Sequence, residues 1–405
     1  MRRDAPEARR RLAERLDAAV GALGTGPSTP TYVVDLDAFD ANAADLARRA
    51  AGTPIRVATK SLRVPALVER ALTAPGCQGV LAYNLREALW LREHGVCDDL
   101  LLGYPTVDAA ALGRLTADER AAAEVTLMVD DLAHLDVVDA ARSTDVTVRV
   151  ALDIDAGLRV GPAHVGPKRS PLRDAAEVVD LARAVVARPG FALVGAMTYE
   201  GQVAGVPDAV PDRRARSLVV RRIKSASMDQ LAERRAEIAA GLRDLADLEL
   251  WNAGGSGSIE ASAADPVVTE VTAGSGLLVP ALFDHYRSFE PRPAAFFGVP
   301  VVRRPSAGCV TVAGGGLIAS GPTGKDRSPL PWAPPGLRLT GLEGAGEVQT
   351  PLVGAGAEHL GVGDTVWFRH AKSGEVAEHV REVHLVAGDR VVEVVPTYRG
   401  TGNAW

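Results

Sequence analysis

From Thr31 onward, the sequence alternates short β-like runs with stretches of helical periodicity, and this alternation limits the possible folds more than any other feature. Counting the short run PVVTEV as the last strand gives eight strand–helix cycles. Eight cycles favour a (β/α)8 barrel of the TIM type over an open, doubly wound sheet. We therefore expect functional residues at the carboxyl ends of the strands, because active sites of such barrels gather there.

The pattern changes near Gly276, where helical periodicity gives way to short alternating runs separated by Gly and Pro, such as GCVTVAG and DTVWFRH. This pattern predicts an all-β C-terminal domain over residues 276–405. Residues 24–275 are predicted to form the barrel, although the first run, TYVVDL, is equally compatible with the β domain. Residues 1–23 are predicted to form a helical arm, and residues 320–336 a flexible loop or a lid beside the site.

Charge and composition exclude several classes of partner. The formal net charge of -6 argues against nucleic acid, and no run approaches the roughly 18 apolar residues that a membrane span requires. The basic run 213–224 is interpreted as a solvated helix face or as a cationic entrance for an anionic substrate. The three cysteines have no CxxC spacing, which argues against a thiolate metal cluster and predicts a reducing, cytoplasmic location.

Lys60 ends the β-like run IRVATK, which places its amine at the predicted mouth of the barrel. Apolar neighbours remove water from an amine and favour the neutral form that attacks an aldehyde. A lysine at a strand end is more often a solvated end residue, so the neighbouring motifs decide between the two interpretations.

Two turns of small residues follow late strands of the predicted barrel. NAGGSGS, at 252–258, follows the apolar run LELW, and TAGSG, at 272–276, follows the next run. Successive backbone N–H groups at such turns form an anion cradle, and glycines let a phosphate approach closely. The alternative is a Gly-rich connection without a ligand. Two adjacent cradles predict one phosphate held from two sides.

These motifs, with PTYVVDLDAF and VATKSLRVPAL, resemble the fold-type III pyridoxal-phosphate enzymes, the alanine racemase-like barrels, from about Thr31 onward. The chain is most similar to the D-threonine aldolase and D-serine dehydratase branch. The resemblance implies pyridoxal 5'-phosphate as cofactor, attached to Lys60 through a Schiff base. It further implies that the two turns hold the cofactor through Asn252, Gly255, Ser256, Gly257, Gly274 and Ser275.

Two segments in the middle of the barrel also resemble this branch. GAMTYEGQ makes Tyr199 a ring or hydroxyl contact of the cofactor, the alternative being an ordinary barrel tyrosine. DIDAGLRVGP makes Arg159 a partner for the pyridoxal hydroxyl or for a substrate carboxylate. One residue separates Gly157 from Arg159, whereas the resemblance leads us to expect two.

The segment FRHAKSGE departs from the branch, which binds a divalent metal through a histidine and a second ligand two positions later. His370 stands in the first position and Lys372 in the second, where an ammonium offers no lone pair to a metal. Either Glu375 or His384 supplies the missing ligand, or the charge of Lys372 takes the place of the metal. We favour the second, with Lys372 orienting the β-hydroxyl of a substrate and His370 acting as the base.

The resemblance implies a lyase that cleaves a β-hydroxy amino acid of D configuration, by a retro-aldol reaction, to glycine and an aldehyde. Dehydration and deamination of D-serine or D-threonine is the first alternative. An amino acid racemase, with Tyr286 or Tyr398 as a second base, and a non-catalytic binding protein for the cofactor are further alternatives. The expected partners are a small amino-acid substrate and a second copy of the chain in a homodimer.

Overall fold

The chain folds into a barrel and a β domain in a computed structural model that describes residues 5–24, 29–210, 213–288, 290 and 292–405. The strands, in chain order, are β1 (Thr31–Asp35), β2 (Ile55–Ala58), β3 (Cys77–Ala82), β4 (Leu100–Leu102), β5 (Val125–Val129), β6 (Val148–Ile154), β7 (Leu158–Val160), β8 (Ala163–Val165), β9 (Phe191–Thr198), β10 (Leu250–Ala253), β11 (Glu270–Ala273), β12 (Ala295–Ser306), β13 (Cys309–Ala313), β14 (Leu330–Ala333), β15 (Arg338–Leu339), β16 (Gln349–Val353), β17 (Thr365–Arg369), β18 (Glu382–Ala387) and β19 (Arg390–Pro396). The α-helices are α1 (Pro6–Gly21), α2 (Leu36–Ala50), α3 (Pro65–Leu72), α4 (Leu85–Glu93), α5 (Ala109–Thr116), α6 (Glu119–Glu124), α7 (Leu132–Ala141), α8 (Ala175–Ala187), α9 (Gly201–Ala204), α10 (Arg214–Leu242), α11 (Ile259–Ala263) and α12 (Ser275–Leu278).

Eight parallel strands close the barrel in the order β10-β11-β2-β3-β4-β5-β6-β9, which confirms the predicted (β/α)8 architecture. The strands are apolar on both faces because side chains fill the interior and helices cover the exterior. All five residues of β5, for example, are buried. Helix α2, which precedes β2, packs against α11 and α12 and completes the outer ring next to the last two strands.

The β domain contains a nine-stranded sheet, as the alternating runs of the C-terminal part predict. The run TYVVDL supplies β1 to this sheet and not to the barrel, because β1 lies between the antiparallel β12 and the parallel β18. Helix α1 packs on the same sheet through Leu16 and its apolar neighbours, and Trp367 Nε1 donates a hydrogen bond of 2.8 Å to Asp17 Oδ1. The predicted N-terminal arm is therefore a part of the β domain.

The basic run 213–224 forms the first third of helix α10, and most of its described residues are exposed, as expected for a solvated face. Arg221 and Lys224 turn inward, where they bind the backbone oxygen and the carboxylate of Asp208. None of the described helices, α10 included, combines the length and apolar character needed to cross a bilayer.

Glu87 of helix α4 ties the barrel to the β domain and is fully buried. Tyr398, which follows the last strand, donates a hydrogen bond of 2.7 Å to Glu87 Oε1, and the N–H of Tyr83 donates one of 2.8 Å to Oε2. Burial raises the pKa of Glu87 from 4.5 to about 7, although hydrogen bonds from Thr59, Tyr398 and Tyr83 and the charge of Arg63 oppose the shift. The carboxyl is thus protonated in the folded protein under mildly acidic conditions.

Glu87→Gln is expected to remove a pH dependence of stability. A carboxyl whose pKa rises on folding contributes stability that is fully present below the unfolded pKa and is lost as the pH rises through the folded pKa. The free energy of unfolding of the wild type, relative to the variant, is therefore expected to fall by about 3 kcal/mol as the pH rises from 4.5 through about 7. Denaturant unfolding of both proteins across this range measures the difference, and a difference independent of pH would contradict the assignment.

Candidate active site

A cavity of about 490 Å³ lies at the carboxyl ends of the barrel strands, between the barrel and the β domain. Barrel residues and β-domain residues both line it, so neither domain forms the site alone. The polar and charged side chains of its wall are Lys60, Ser61, Arg63, Tyr83, Tyr104, Arg169, Tyr199, Asn252, Ser256, Thr272, Ser275 and Tyr286 from the barrel side, and Ser320, Arg327, Lys372, Ser373 and Glu375 from the β domain.

Lys60 lies in a single 3-10 turn, Thr59–Ser61, directly after strand β2, and its side chain is exposed in the cavity. The loop of the β domain closes over this turn at Gly374, whose φ is +82°. A Cβ atom at Gly374 would lie 2.3 Å from the carbonyl oxygen of Lys60, so a glycine is required for this approach. Lys60 thus lies at the mouth of the barrel, where the sequence predicts it.

Tyr104, two residues after strand β4, is the side chain that contacts the Lys60 amine. Lys60 Nζ donates a hydrogen bond of 2.8 Å to Tyr104 Oη. Burial raises the pKa of Tyr104, but the charge and hydrogen bond of Lys60 and the charge of Arg169 outweigh burial, and the pKa lies below its ordinary value. We did not expect this contact from the sequence, because the short segment GYP has no pattern that marks a functional tyrosine.

Arg169 lines the cavity beside Tyr104 and Tyr199, whereas the predicted Arg159 does not line it. Its guanidinium lies 5.4 Å from the ring centre of Tyr104 and 5.3 Å from that of Tyr199. Arg159 lies on strand β7 of an inserted hairpin, where its exposed side chain lines a neighbouring groove and its backbone bonds to Gln230. Arg159 therefore does not line the cavity, since the hairpin carries it into the neighbouring groove and returns the chain at Arg169, and its contact with the cofactor stays a prediction.

The two predicted turns meet at the cavity wall. Ser256 Oγ accepts hydrogen bonds from the N–H groups of Gly274, at 3.3 Å, and Gly276, at 2.9 Å. The backbone N–H groups of Ser256 and Ser275 find no acceptor within the described part of the chain. Both residues line the cavity, so these two donors are available to an anion there.

Two of the four other predicted contacts of these turns differ from the prediction. Gly255 and Gly274 line the cavity, whereas Gly257 lies behind its wall, packed against Ala204 and Tyr286. Asn252 borders the cavity, but its amide is bound inside the barrel to Glu270 and Thr272. The side-chain donor of Asn252 is therefore already used.

Glu200, which the sequence interpretation missed, holds the first turn in place and is fully buried. Ser258 Oγ donates a hydrogen bond of 2.7 Å to its carboxylate, Ser262 Oγ donates another, and the N–H of Gly254 lies 3.4 Å from Oε2. The guanidinium of Arg235 lies 3.1 Å from Oε2 of Glu200 and compensates its negative charge. An acidic residue that directly follows the apolar run ALVGAMTY is a signal that could have identified this buried carboxylate.

Tyr199 lines the cavity next to Gly255, as predicted for a cofactor contact. Burial raises the pKa of Tyr199 to about 12, so its hydroxyl is neutral over the physiological range. A Cβ atom at Gly255 would lie 3.3 Å from Tyr199 Cε2, which shows how closely the turn approaches the ring.

On the β-domain side, Lys372 projects into the cavity and His370 does not. Lys372 Nζ donates a hydrogen bond of 2.8 Å to Ser320 Oγ and lies 3.6 Å from Glu375 Oε1. The ring of His370 is buried, and its Nδ1 lies 2.7 Å from the carbonyl oxygen and 3.1 Å from the nitrogen of Lys372. Burial lowers the pKa of His370. The prediction that His370 is the base is corrected, because its ring lies outside the cavity wall.

Lys372 cannot take the position of the second metal ligand that the branch resemblance implied. Nδ1 of His370 is engaged by the backbone, and an ammonium of Lys372 has no lone pair. Glu375 accepts two hydrogen bonds from Ser320, and His384 is buried in the sheet with Nδ1 3.2 Å from the carbonyl oxygen of Tyr32. Throughout the described ranges, no three His, Cys, Asp or Glu side chains are grouped as metal ligands. The role of His370 as a metal ligand stays a prediction.

The cavity does fit an aldehyde that carries a phosphate. An amine for the carbonyl carbon is present at Lys60, and two backbone donors for the phosphate are present at Ser256 and Ser275. The hydroxyls of Ser61 and Ser275 lie 3.0 Å apart, so the lysine turn and the second Gly-rich turn are in direct contact. The side chain of Tyr199 borders the same space.

Comparisons with known proteins agree with this geometry. The family described as "Alanine racemase, N-terminal domain" matches residues 34–280. The chain is 27% identical over 254 residues to a 3-hydroxy-D-aspartate aldolase of Paracoccus denitrificans (strain Pd 1222), covering 61% of this chain and 59% of that protein. It is 30% identical over 250 residues to a D-threonine aldolase of an Arthrobacter species, covering 61% and 60%. The similarity thus spans about three fifths of these relatives.

Solved structures extend the likeness in fold to nearly the whole chain. D-threonine aldolase from Filomicrobium marinum superposes with a TM-score of 0.75 at 23% identity, over 92% of this chain and 95% of that one. D-threo-3-hydroxyaspartate dehydratase from Delftia sp. HT23 gives a TM-score of 0.70 at 20% identity, over 91% and 97%. Together, the family match, the closed barrel and the β-rich second domain establish that the chain belongs to the alanine racemase-like family.

Proposed function

We propose that the protein is a pyridoxal-phosphate-dependent lyase that cleaves a β-hydroxy amino acid of D configuration to glycine and an aldehyde. The observation that carries this proposal is the cavity in which the Lys60 amine faces the two Gly-rich turns with their unpaired N–H donors. The names of the two curated relatives, both aldolases, support retro-aldol cleavage as the reaction.

On this proposal, the bound cofactor supplies an electron sink for the bond that breaks at Cα. Lys60 attaches the cofactor, and the N–H groups of Ser256 and Ser275 hold its phosphate. Tyr199 packs on the ring, and Arg169, which lies against that tyrosine, binds the ring hydroxyl or the substrate carboxylate. These residues orient the substrate so that the bond to Cβ is the one aligned for cleavage.

Lys372 is proposed to bind the β-hydroxyl across the cavity. Its ammonium is fixed by Ser320 and by Glu375, whose carboxylate lies 3.6 Å from Nζ. A positive charge at this point stabilises negative charge on the β-oxygen as its proton leaves, and Glu375 is the carboxylate placed to take that proton; the oxygen electron pair then forms the aldehyde C=O while the Cα–Cβ pair stays on Cα. This cluster performs the role for which the branch resemblance implied a metal.

Dehydration is the second candidate reaction, because an ammonium at the β-oxygen can equally protonate a leaving hydroxyl. Its products, a keto acid and ammonia, distinguish it from aldol cleavage. A racemase is less well supported, since the hydroxyls of Tyr286 and Tyr398 donate to Ala204 and Glu87 in this chain. A pure binding protein would not need the β-domain side chains that complete the cavity.

We also propose a homodimer and a cytoplasmic location. The homodimer is proposed by analogy with the family resemblance. The location is proposed because the three cysteines are unpaired, as expected of a reducing compartment.

Lys60→Ala tests the proposed cofactor attachment. The purified wild type is expected to absorb visible light through the bond between Lys60 and the cofactor, and the variant is expected to lose this absorbance because no amine remains at that position. Lys372→Ala removes the other lysine of the same cavity and is expected to leave the absorbance in place. A Lys60→Ala protein with an unaltered spectrum would overturn the assignment.

Lys372→Met tests the binding of the β-hydroxyl, because methionine keeps the bulk of the side chain and removes its charge. We expect kcat/KM to fall by about 10²-fold, the loss typical of one proton-transfer or charge-stabilising group. The measurement follows aldehyde, keto acid and inverted enantiomer from D- and L-serine, threonine and phenylserine. Lys325→Met, on the neighbouring loop outside the cavity wall, is the control.

Two results would contradict the role of Lys372. One is a Lys372→Met protein as active as the Lys325→Met control. The other is a wild type that loses its activity on treatment with a chelator and recovers it when manganese or zinc is added.

A further inference from the structure

The hydroxyl of Tyr104 contacts Nζ of Lys60, the atom that must react when a cofactor is attached to this lysine. Lys60 Nζ and Tyr104 Oη are 2.8 Å apart, within one hydrogen bond. Their backbones are set by two barrel strands, β2 and β4, which are separated in the sheet by β3 alone. Both residues of the pair thus belong to the barrel, in the segments that directly follow these strands.

Other tyrosines of the cavity do not share this contact. The hydroxyl of Tyr83 is buried away from Lys60, and Tyr286 Oη donates to the carbonyl oxygen of Ala204 at 2.8 Å. Tyr104 thus differs from these two tyrosines because its hydroxyl is bonded to the Lys60 amine.

The surroundings of Tyr104 favour movement of a proton between the two groups. The guanidinium of Arg169, 5.4 Å from the ring centre, adds a positive charge that stabilises a phenolate. An ammonium paired with a phenolate contains the same number of protons as an amine paired with a phenol. The pair can therefore present either form to an incoming aldehyde without exchanging a proton with solvent.

We propose that Tyr104 is the proton-transfer partner of Lys60 when this lysine forms and releases its covalent bond to an aldehyde cofactor. This inference rests on the proposed function, in which Lys60 attaches pyridoxal phosphate. It assigns to Tyr104 a catalytic role in each turnover, because the lysine must leave the cofactor when a substrate amine binds and must return when the product departs.

The atoms of the step balance within the pair. Nζ of the neutral amine forms a bond to the aldehyde carbon, and the aldehyde oxygen leaves as water. Tyr104 donates its hydroxyl proton to that oxygen and recovers a proton from Nζ, while the second proton of the amine completes the water. The reverse sequence, with a substrate amine in place of water, returns Lys60 to its free form.

Tyr104→Phe tests this role through the rate of attachment, independently of turnover. The protein is freed of cofactor and mixed with pyridoxal 5'-phosphate, and the rise of visible absorbance is followed. We expect the rate to fall by about 10²-fold, the usual contribution of a positioned acid–base group. The affinity for pyridoxine 5'-phosphate, which has an alcohol in place of the aldehyde, is expected to stay unchanged because phosphate binding does not involve Tyr104.

Tyr83→Phe is the matched control, a tyrosine of the same cavity whose hydroxyl does not contact Lys60, and it is expected to attach the cofactor at the wild-type rate. Attachment by Tyr104→Phe as fast as by Tyr83→Phe would overturn the proposal. A parallel loss of affinity for pyridoxine 5'-phosphate would also overturn it, by showing a structural role. If Lys60→Ala instead retained the absorbance, the proposed function itself would fail, which separates the two outcomes.

Discussion

The pairing of β11 with β2 closes the barrel, and the candidate site depends on this closure. It joins Val271 to Ile55 and Ala273 to Val57, residues separated by more than two hundred positions in the chain. Because the strands are parallel, both end at the same edge, and the turn after each one reaches the same space. The hydroxyl contact between Ser61 and Ser275 is a direct result of this closure. An amine and a pair of anion-binding N–H groups are thereby brought into one cavity.

Two further constraints keep this arrangement in place. Glu200 fixes the first Gly-rich turn from behind, and its charge is balanced by Arg235 in the barrel wall. The β domain covers the mouth and approaches the lysine turn at Gly374, while Tyr398 anchors it to the buried Glu87. A buried acidic side chain that lost its hydrogen bonds would be costly, so both contacts resist displacement of the elements that they join. The rigidity of the site therefore originates in groups that do not line it.

The features that sequence reasoning predicted are those encoded locally. Alternating periodicity is a property of neighbouring residues, and it indicated both the barrel and the β domain. Lys60 and the Gly-rich turns were found because each directly follows an apolar strand. Sequence reasoning did not show that Arg159 and His370 lie outside the cavity wall, because side-chain direction depends on long-range structure: an inserted hairpin displaces Arg159, and the backbone of Lys372 fixes the ring of His370. Tyr104 was missed because its contact with Lys60 is made across the intervening strand β3, between residues 44 positions apart in the chain.

The most direct test of the account is to locate the covalent attachment itself. Borohydride reduction of the cofactor-loaded protein fixes the bond, and mass spectrometry of its peptides then identifies which of the five lysines is modified. The account predicts a single pyridoxyl-phosphate label on Lys60. A label on Lys372, the other lysine of the cavity, or the absence of any label would contradict it.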